Sequence, residues 1–418
     1  MAGSSSQSSG HGTDPLDPLD PPIPSYDGGG LAGVLPAVAA ALGAPVGSTQ
    51  GLVALPPARR AVVVLVDGLG LELLRRRGGH APYLRSLLPG GYALTCGFPS
   101  TTATSMGTFG TGLPPGSHGL VGYEVLIPEA DRLVNELSWD DGPDPEAWQP
   151  AATVFERLTR ADIPVTMIGP GYFDGSGLTR AALRGARFAA GDLPDRRVPA
   201  ALAALRRAPR GLVYLYWGEV DKTGHQHGCE SHAWGLALEE VDGQLRRLAS
   251  SLPPDTLLVG RLASSLPPDT LLVVTADHGM VDVPFADRID VAHEPDLAAD
   301  VRHMAGEARA PQLHVRPGAV ADVAAAWAAR LGTRAVVRTR EQTLEEGWFG
   351  PGAPGDARRA EIARRIGDVV VSCAPGTAVV HSRTQPARLL RLLGLHGALT
   401  PDEVAIPLLV QAPGGGRG

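Results

Sequence analysis

The 418-residue chain is short of lysine and cysteine, and it has no long apolar run. Lys222 is the only lysine among 37 basic residues, an arginine bias that fits a GC-rich genome better than a demand for guanidinium chemistry. The three cysteines, Cys96, Cys229 and Cys373, are odd in number and far apart, which excludes a disulfide framework and a cysteine-based zinc site. No uninterrupted apolar stretch reaches the roughly 20 residues of a membrane span. The Ser/Gly-rich start, Met1 to Gly12, lacks the apolar centre of a signal peptide. A net charge of −7 and a pI near 5.9 exclude an overall basic surface for a nucleic-acid backbone. The expectation is a cytoplasmic protein with neither a membrane nor a nucleic-acid polymer as partner. What is present is a 44% hydrophobic content, enough for a large core, with 53 glycines and 38 prolines that imply many tight loops.

Residues 1–30 are Ser, Gly, Pro and Asp with a small DPL repeat, and are expected to form a disordered leader. Beyond it, short β-branched runs alternate with amphipathic stretches. Ala61 to Val66, Leu212 to Tyr216, Leu271 to Thr275, Asp368 to Ser372 and Ile406 to Val410 read as strands covered on both faces. Trp234, Leu238, Val241, Leu245 and Leu248 step by three and four residues, as do Val320, Val323, Trp327 and Leu331, so both segments read as helices. The pattern predicts an α/β fold, a mostly parallel central sheet sandwiched by helices, with ligands beyond the carboxyl ends of the strands. A catalytic core over 31–284 and 391–413 is expected, with 285–390 as a small cap subdomain. RLASSLPPDTLLV occurs twice in tandem within 247–273. Only the second copy leads directly into TADHG and is expected to be the strand. The first must extend the preceding helix, loop out or pair at an edge.

Four segments put chemistry at strand ends. In VLVDGLG, Asp67 follows a buried run; a cap on the helix Leu71 to Arg77 is its structural alternative. FPSTTATSMGTFGTGLPPGSHG, residues 98–119, offers threonines at a helix start, where free N–H groups favour phosphate, although a simple Thr cap is common. In YWGEVDKTGHQHG, Asp221 and His225 are four residues apart, so one helical turn aims both at one ion; a solvated loop is the alternative. In VVTADHGMVDV, Asp277 and His278 follow a buried strand, and Gly279 permits the turn that lets both face one ion. His396 precedes the last strand. His118, His314 and His381 are assigned packing or surface roles. Three Asp and three His at strand ends suffice for two metal sites sharing a threonine, the clamp that in-line phosphoryl transfer uses.

In this order, VDGLG, FPSTTATS with TGLPPGSHG, DKTGH, TADHGM and the late LHG resemble the alkaline phosphatase superfamily, specifically its nucleotide pyrophosphatase/phosphodiesterase branch, over about residues 30–413. The resemblance implies two divalent ions per chain, zinc ahead of manganese or iron. Asp221, His225 and His396 would hold the first ion, and Asp67, Asp277 and His278 the second together with the nucleophile. That nucleophile is implied to be Thr102, with Thr101 as the neighbour to test, and the reaction to pass through a phosphothreonine. The family's phosphodiesterases carry Asn where this chain has Ser105, and a phosphate-binding Asn about where Tyr123 stands; Tyr123 is the implied substrate-binding residue. The expected activity is hydrolysis of phosphodiester or pyrophosphate bonds in nucleotide-like small molecules. A phosphomonoesterase or phosphonate hydrolase on the same site is the alternative, a mutase less favoured because no phosphosugar site is marked, and a non-catalytic metal-binding protein the reading from another class.

Overall fold

The computed structural model describes residues 21–251, 269–351 and 357–413. Its centre is a seven-stranded sheet formed by β1 (Arg60–Val66), β2 (Tyr92–Thr95), β3 (Val165–Gly169), β4 (Arg187–Ala190), β5 (Gly211–Trp217), β6 (Thr270–Thr275) and β7 (Ala405–Gln411), in the spatial order β2-β7-β6-β1-β5-β3-β4. β1 pairs in parallel with both β5 and β6, Val64 lying opposite Leu215 on one side and Val274 on the other. Helices cover both faces of such a sheet, which is why β1 and β6 are unbroken apolar runs with nearly every residue buried. An alternating pattern would have left one face in water.

Topology gathers the site. The carboxyl ends of β6, β1 and β5 emerge side by side on one edge. β7 is antiparallel to β6, so its start lies on that same edge, and β2 is antiparallel to β7, so its end does too. Five strand ends far apart in sequence therefore deliver Asp67, the 98–102 segment, the residues after Trp217, Asp277 and His278, and His396 to one place.

Three helices matter most: α1 (Thr102–Thr111), α2 (Glu219–His227) and α3 (His232–Ser250). In α3 the expected stripe of Trp234, Leu238, Val241, Leu245 and Leu248 is fully buried, and the Ser231 side chain caps its start by accepting from Trp234 N at 3.1 Å. The tandem repeat takes two structures. The first copy begins as the last turn of α3, through Ser250, and the second ends as β6 from Thr270, while 252–268 lies outside the described residues. The expected leader lies largely outside them as well, since 1–20 are not described.

One strand expectation needs correcting. The run over 368–372 is buried on both faces as foreseen, but it does not join the central sheet. Val369–Cys373 sits in a four-stranded antiparallel sheet with Val301–Glu307, Ala310–Val315 and Ala335–Thr339, backed by the helix Val320–Leu331. Val369 and Val371 face the small core around Trp327, while Val370 faces the main core. Wedged between two cores, the strand has the same apolar signature as one in a parallel sheet. Among the described residues, no helix is long and apolar enough to cross a membrane.

Candidate active site

Asp67 is the first residue beyond β1. The helix that follows is capped by Gly70, not by Asp67, so the capping alternative fails. One carboxylate oxygen, Oδ2, accepts from the Tyr216 hydroxyl, and Oδ1 has no hydrogen-bond partner. The chain then turns at Gly68 with φ +71°, where a Cβ would lie 2.9 Å from the Asp221 Cβ. Only glycine allows this turn to approach α2 so closely.

Asp221 and His225 face one another across a turn of α2, Nε2 to Oδ2 at 3.4 Å. Asp277 Oδ1 accepts from Gly68 N at 3.1 Å and from His278 N at 3.0 Å, leaving Oδ2 without a partner. His278 Nε2 stands 3.4 Å from Asp277 Oδ2, 3.5 Å from Asp67 Oδ1 and 3.2 Å from Thr102 Oγ1. His396 stacks on His278 with ring centroids 3.9 Å apart, and its Nε2 is 3.9 Å from Asp221 Oδ1.

Each of the three histidines gives Nδ1 to a backbone carbonyl: His225 to Gly394 O at 2.8 Å, His278 to Gly279 O at 3.0 Å, His396 to Ser100 O at 2.9 Å. A carbonyl only accepts, so Nδ1 carries the proton and the Nε2 lone pair points into the site, the arrangement of metal-bound imidazoles. Asp67, Asp277 and His278 offer ligand atoms within 4.8 Å of one another, and so do Asp221, His278 and His396; His225 joins through Asp221. Burial, then Asp277 and Asp221, hold the Asp67 carboxyl well above the usual range, and burial also raises Asp277. His396 is held well below its ordinary value by burial and then by His278 and His225. A cation would neutralise the carboxylate oxygens left without a partner, Asp67 Oδ1, Asp221 Oδ1 and Asp277 Oδ2. A set of oxygens and imidazole nitrogens without thiolate fits zinc, manganese or iron.

Thr102 opens α1, and Thr101 is its extended N-cap (φ −140°, ψ 150°), whose side chain makes no capping bond. The N–H groups of Thr102, Ala103 and Thr104 precede the first intrahelical bond, from Ser105 N to Thr101 O at 2.9 Å. Ser105, where the family's phosphodiesterases have Asn, ties α1 to the Asp277 carbonyl at 2.8 Å.

The site opens into a cavity of about 1010 Å³ that Thr102, Asp67, Asp221, His225 and His396 share with Tyr123, Asn135, Glu307, Lys222 and Arg388. Burial raises the Tyr123 phenol, while a hydrogen bond with the Asn135 side chain opposes that. Sequence reasoning missed Tyr216, Asn135 and Glu307. Tyr216 was open to discovery, because a tyrosine near the end of a strand flanking β1 can reach Asp67. Asn135 and Glu307 carry no local signal. Of the histidines set aside, His118 is bound to Thr108 Oγ1 at 3.0 Å, and burial lowers it to about 3; His314 lies buried in the second sheet.

A mostly parallel sheet with paired Asp/His groups and a helix-borne threonine at its carboxyl edge defines the alkaline phosphatase superfamily. Within it, the chain belongs to the type I phosphodiesterase / nucleotide pyrophosphatase family, whose model matches residues 61–399. The fold is similar to that of murine ectonucleotide pyrophosphatase / phosphodiesterase 5, with TM-score 0.64 at 20% identity over 84% of this chain and 88% of that one. It is also similar to phosphonoacetate hydrolase from Sinorhizobium meliloti 1021, with TM-score 0.64 at 19% identity over 85% and 91%. Phosphopentomutases of Anaeromyxobacter sp. (strain K) and Anaeromyxobacter dehalogenans (strain 2CP-1) are each 35% identical over 133 residues, 31% of this chain. The match spans 28% of the length of those curated relatives.

Proposed function

We propose that the chain hydrolyses phosphodiester or pyrophosphate bonds of nucleotide-like small molecules through a phosphothreonine on Thr102. The observation that carries this reading is the Thr102 hydroxyl, 3.2 Å from His278 Nε2 at the helix start where the two Asp/His groups meet. Asp221, His225 and His396 would hold one divalent ion, and Asp67, Asp277, His278 and Thr102 the other, zinc ahead of manganese or iron. Bound there, such ions supply Lewis-acid stabilisation of the phosphoryl oxygens and favour the deprotonated hydroxyl.

The Thr102 oxygen attacks phosphorus in line; its bond to phosphorus forms as the bond to the leaving oxygen breaks, and the departing group is protonated. Water then attacks the threonine-bound phosphorus, which still carries the second ester group of a diester or nucleotide, from the opposite side; its P–O bond forms as the bond to Thr102 breaks, releasing the substituted phosphate and restoring the hydroxyl. The free N–H groups at the start of α1 point donors to where negative charge develops. The Tyr123 hydroxyl is a further donor to a phosphoryl oxygen. Along the cavity wall Tyr172, 77% exposed, packs edge-on to Phe173, which in turn packs on Tyr216 with centroids 5.3 Å apart. These rings offer a flat apolar face to a base-sized group.

Similar structures support the substrate class. The murine protein has been solved as an inactive threonine-to-alanine variant in complex with AMP, and the Sinorhizobium enzyme in complex with phosphonoacetate. The second of these, with Tyr123 in place of an asparagine, favours a phosphomonoesterase or phosphonate hydrolase as the second reading. The deciding assay puts the zinc-loaded protein on a chromogenic phosphate diester and its monoester side by side, with a chelator control. Chelator-sensitive activity favouring the diester is expected. A monoester preference moves the protein to the second reading, and interconversion of phosphopentose isomers without net hydrolysis would replace both with a mutase.

A further inference from the structure

Thr101 and Thr102 are adjacent hydroxyls at the mouth of the same cavity, yet they are held differently. Thr102 faces His278. Thr101 is 1% exposed and donates its hydroxyl to Glu307 Oε1 instead of capping its own helix. Glu307 arrives from elsewhere in the fold, at the end of the strand Val301–Glu307 in the second sheet. Its other side abuts Gly397, where a Cβ would come within 2.8 Å of the Glu307 Cβ. Gly397 in turn exchanges bonds with Ser100: Ser100 N donates to Gly397 O and Gly397 N to Ser100 Oγ, both at 3.1 Å. The 100–102 segment is thus clamped between the loop that carries His396 and one carboxyl from the second sheet.

We infer that Glu307 is a positioning residue that selects the nucleophile: by taking up the Thr101 hydroxyl it fixes the start of α1 so that Thr102 alone is presented to phosphorus. The inference rests on the phosphothreonine reading. Burial pushes the Glu307 carboxyl up to about 8 against the lowering effect of the Thr101 bond, which places it among desolvated groups that hold their partners firmly. Freed from that bond, Thr101 can rotate toward the site and the α1 start can shift, and displacements of about 1 Å at a reacting atom cost up to about a hundredfold in rate.

The test compares wild type, Glu307→Ala, Glu307→Gln and Thr101→Val, all zinc-loaded and checked for metal content and melting temperature. Each is acid-quenched during turnover of a chromogenic diester, and the phosphorylated residue is located by peptide mass spectrometry. Wild type should carry the substituted phosphoryl group left by the diester on Thr102 only. Glu307→Ala should lose about tenfold or more in kcat at little-changed KM and share the label with Thr101. Glu307→Gln, whose carbonyl can still accept from Thr101, should recover most of the kcat and confine the label to Thr102. Thr101→Val breaks the bond from the other side and should lower kcat with the label still on Thr102, which keeps the test alive if Glu307→Ala folds poorly. Labelled wild type with Glu307→Ala and Thr101→Val both unchanged would overturn the inference alone, as would a Gln variant as impaired as the Ala variant. An unlabelled wild type would overturn the phosphothreonine reading and this inference with it.

Discussion

Asp67, Asp277 and His278 are 3%, 0% and 0% exposed, whereas the side chains of Asp221 and His225 keep 15% and 21% of their surface. The two groups use the same chemistry but stand on different supports. The first sits on the ends of β1 and β6, in the middle of a sheet covered on both faces. The second borrows a helical turn and a late loop at the cavity wall. Burial makes the first group the costlier one to leave without a cation, and its carboxyls are correspondingly raised. The comparison teaches that the group on the strand ends is built at the greater expense of stability, while the Asp221 and His225 side chains, partly open to water, cost less to leave without a cation.

The largest expected effect falls where the two halves meet. Thr102→Ala should lower kcat by about three orders of magnitude or more while leaving bound zinc per chain close to wild type. Turnover near wild type would transfer the role to Thr101; loss of an ion along with turnover would show that the three other ligands cannot hold it without the Thr102 oxygen.

The next effect separates the halves directly. Asp277→Asn should abolish activity and lose an ion, yet raise the melting temperature of the chelator-treated protein by about 2–4 °C, because the amide keeps the acceptor used by Gly68 and His278 and removes a buried like charge. Asp221→Ala should also lose one ion, with the metal-free melting temperature nearly unchanged. Equal melting shifts in the two variants would erase the distinction. pH supplies the same contrast. Asp67 and Asp277 are raised in the folded chain, so folding binds their protons more tightly, and metal-free stability is greatest below the ordinary carboxylate range and declines as pH climbs through the raised values. The chelator-treated wild type should therefore melt lower at about pH 8 than at about pH 5, with a shallower slope in Asp277→Asn. Zinc should reverse the trend, since protons and the ion compete for the same oxygens.

The same contrast marks how far the sequence could be read. Asp67, Asp277 and His278 stand directly after apolar runs, and a buried strand that ends in a carboxylate announces a position on the sheet edge. Asp221 and His225 were legible through helical spacing. His396 needed the resemblance, because only the antiparallel course of β7 brings its loop to that edge. The Val369–Cys373 strand was legible as buried but not by sheet, since an apolar run reports what covers it and not what it pairs with. Glu307 and Asn135 were invisible: each comes from a separate β-layer, and nothing local distinguishes them from surface polar residues. Capping was a fair alternative for Asp67 until Gly70 proved to hold that place.

The smallest expected effect tests the wall the sequence described least well. The Asn135 amide donates a hydrogen bond to the Tyr123 phenol oxygen across the hairpin in which Glu124 pairs with Asn135. Asn135 Oδ1 is already taken by Leu137 N and Ser138 N, both at 2.9 Å, so its amide hydrogens are what it can offer the cavity. Tyr123→Phe removes one donor to the phosphoryl oxygens but leaves that amide, and should cost only about three- to tenfold in kcat/KM, the scale of one hydrogen bond of about 1 kcal/mol. Tyr123→Asn shortens the side chain to the residue the family's phosphodiesterases carry there and should raise the ratio of diester to monoester turnover. If both substitutions leave that ratio untouched, Tyr123 lines the cavity without binding phosphate, and selectivity resides on the side of the cavity that Glu307 and Arg388 occupy.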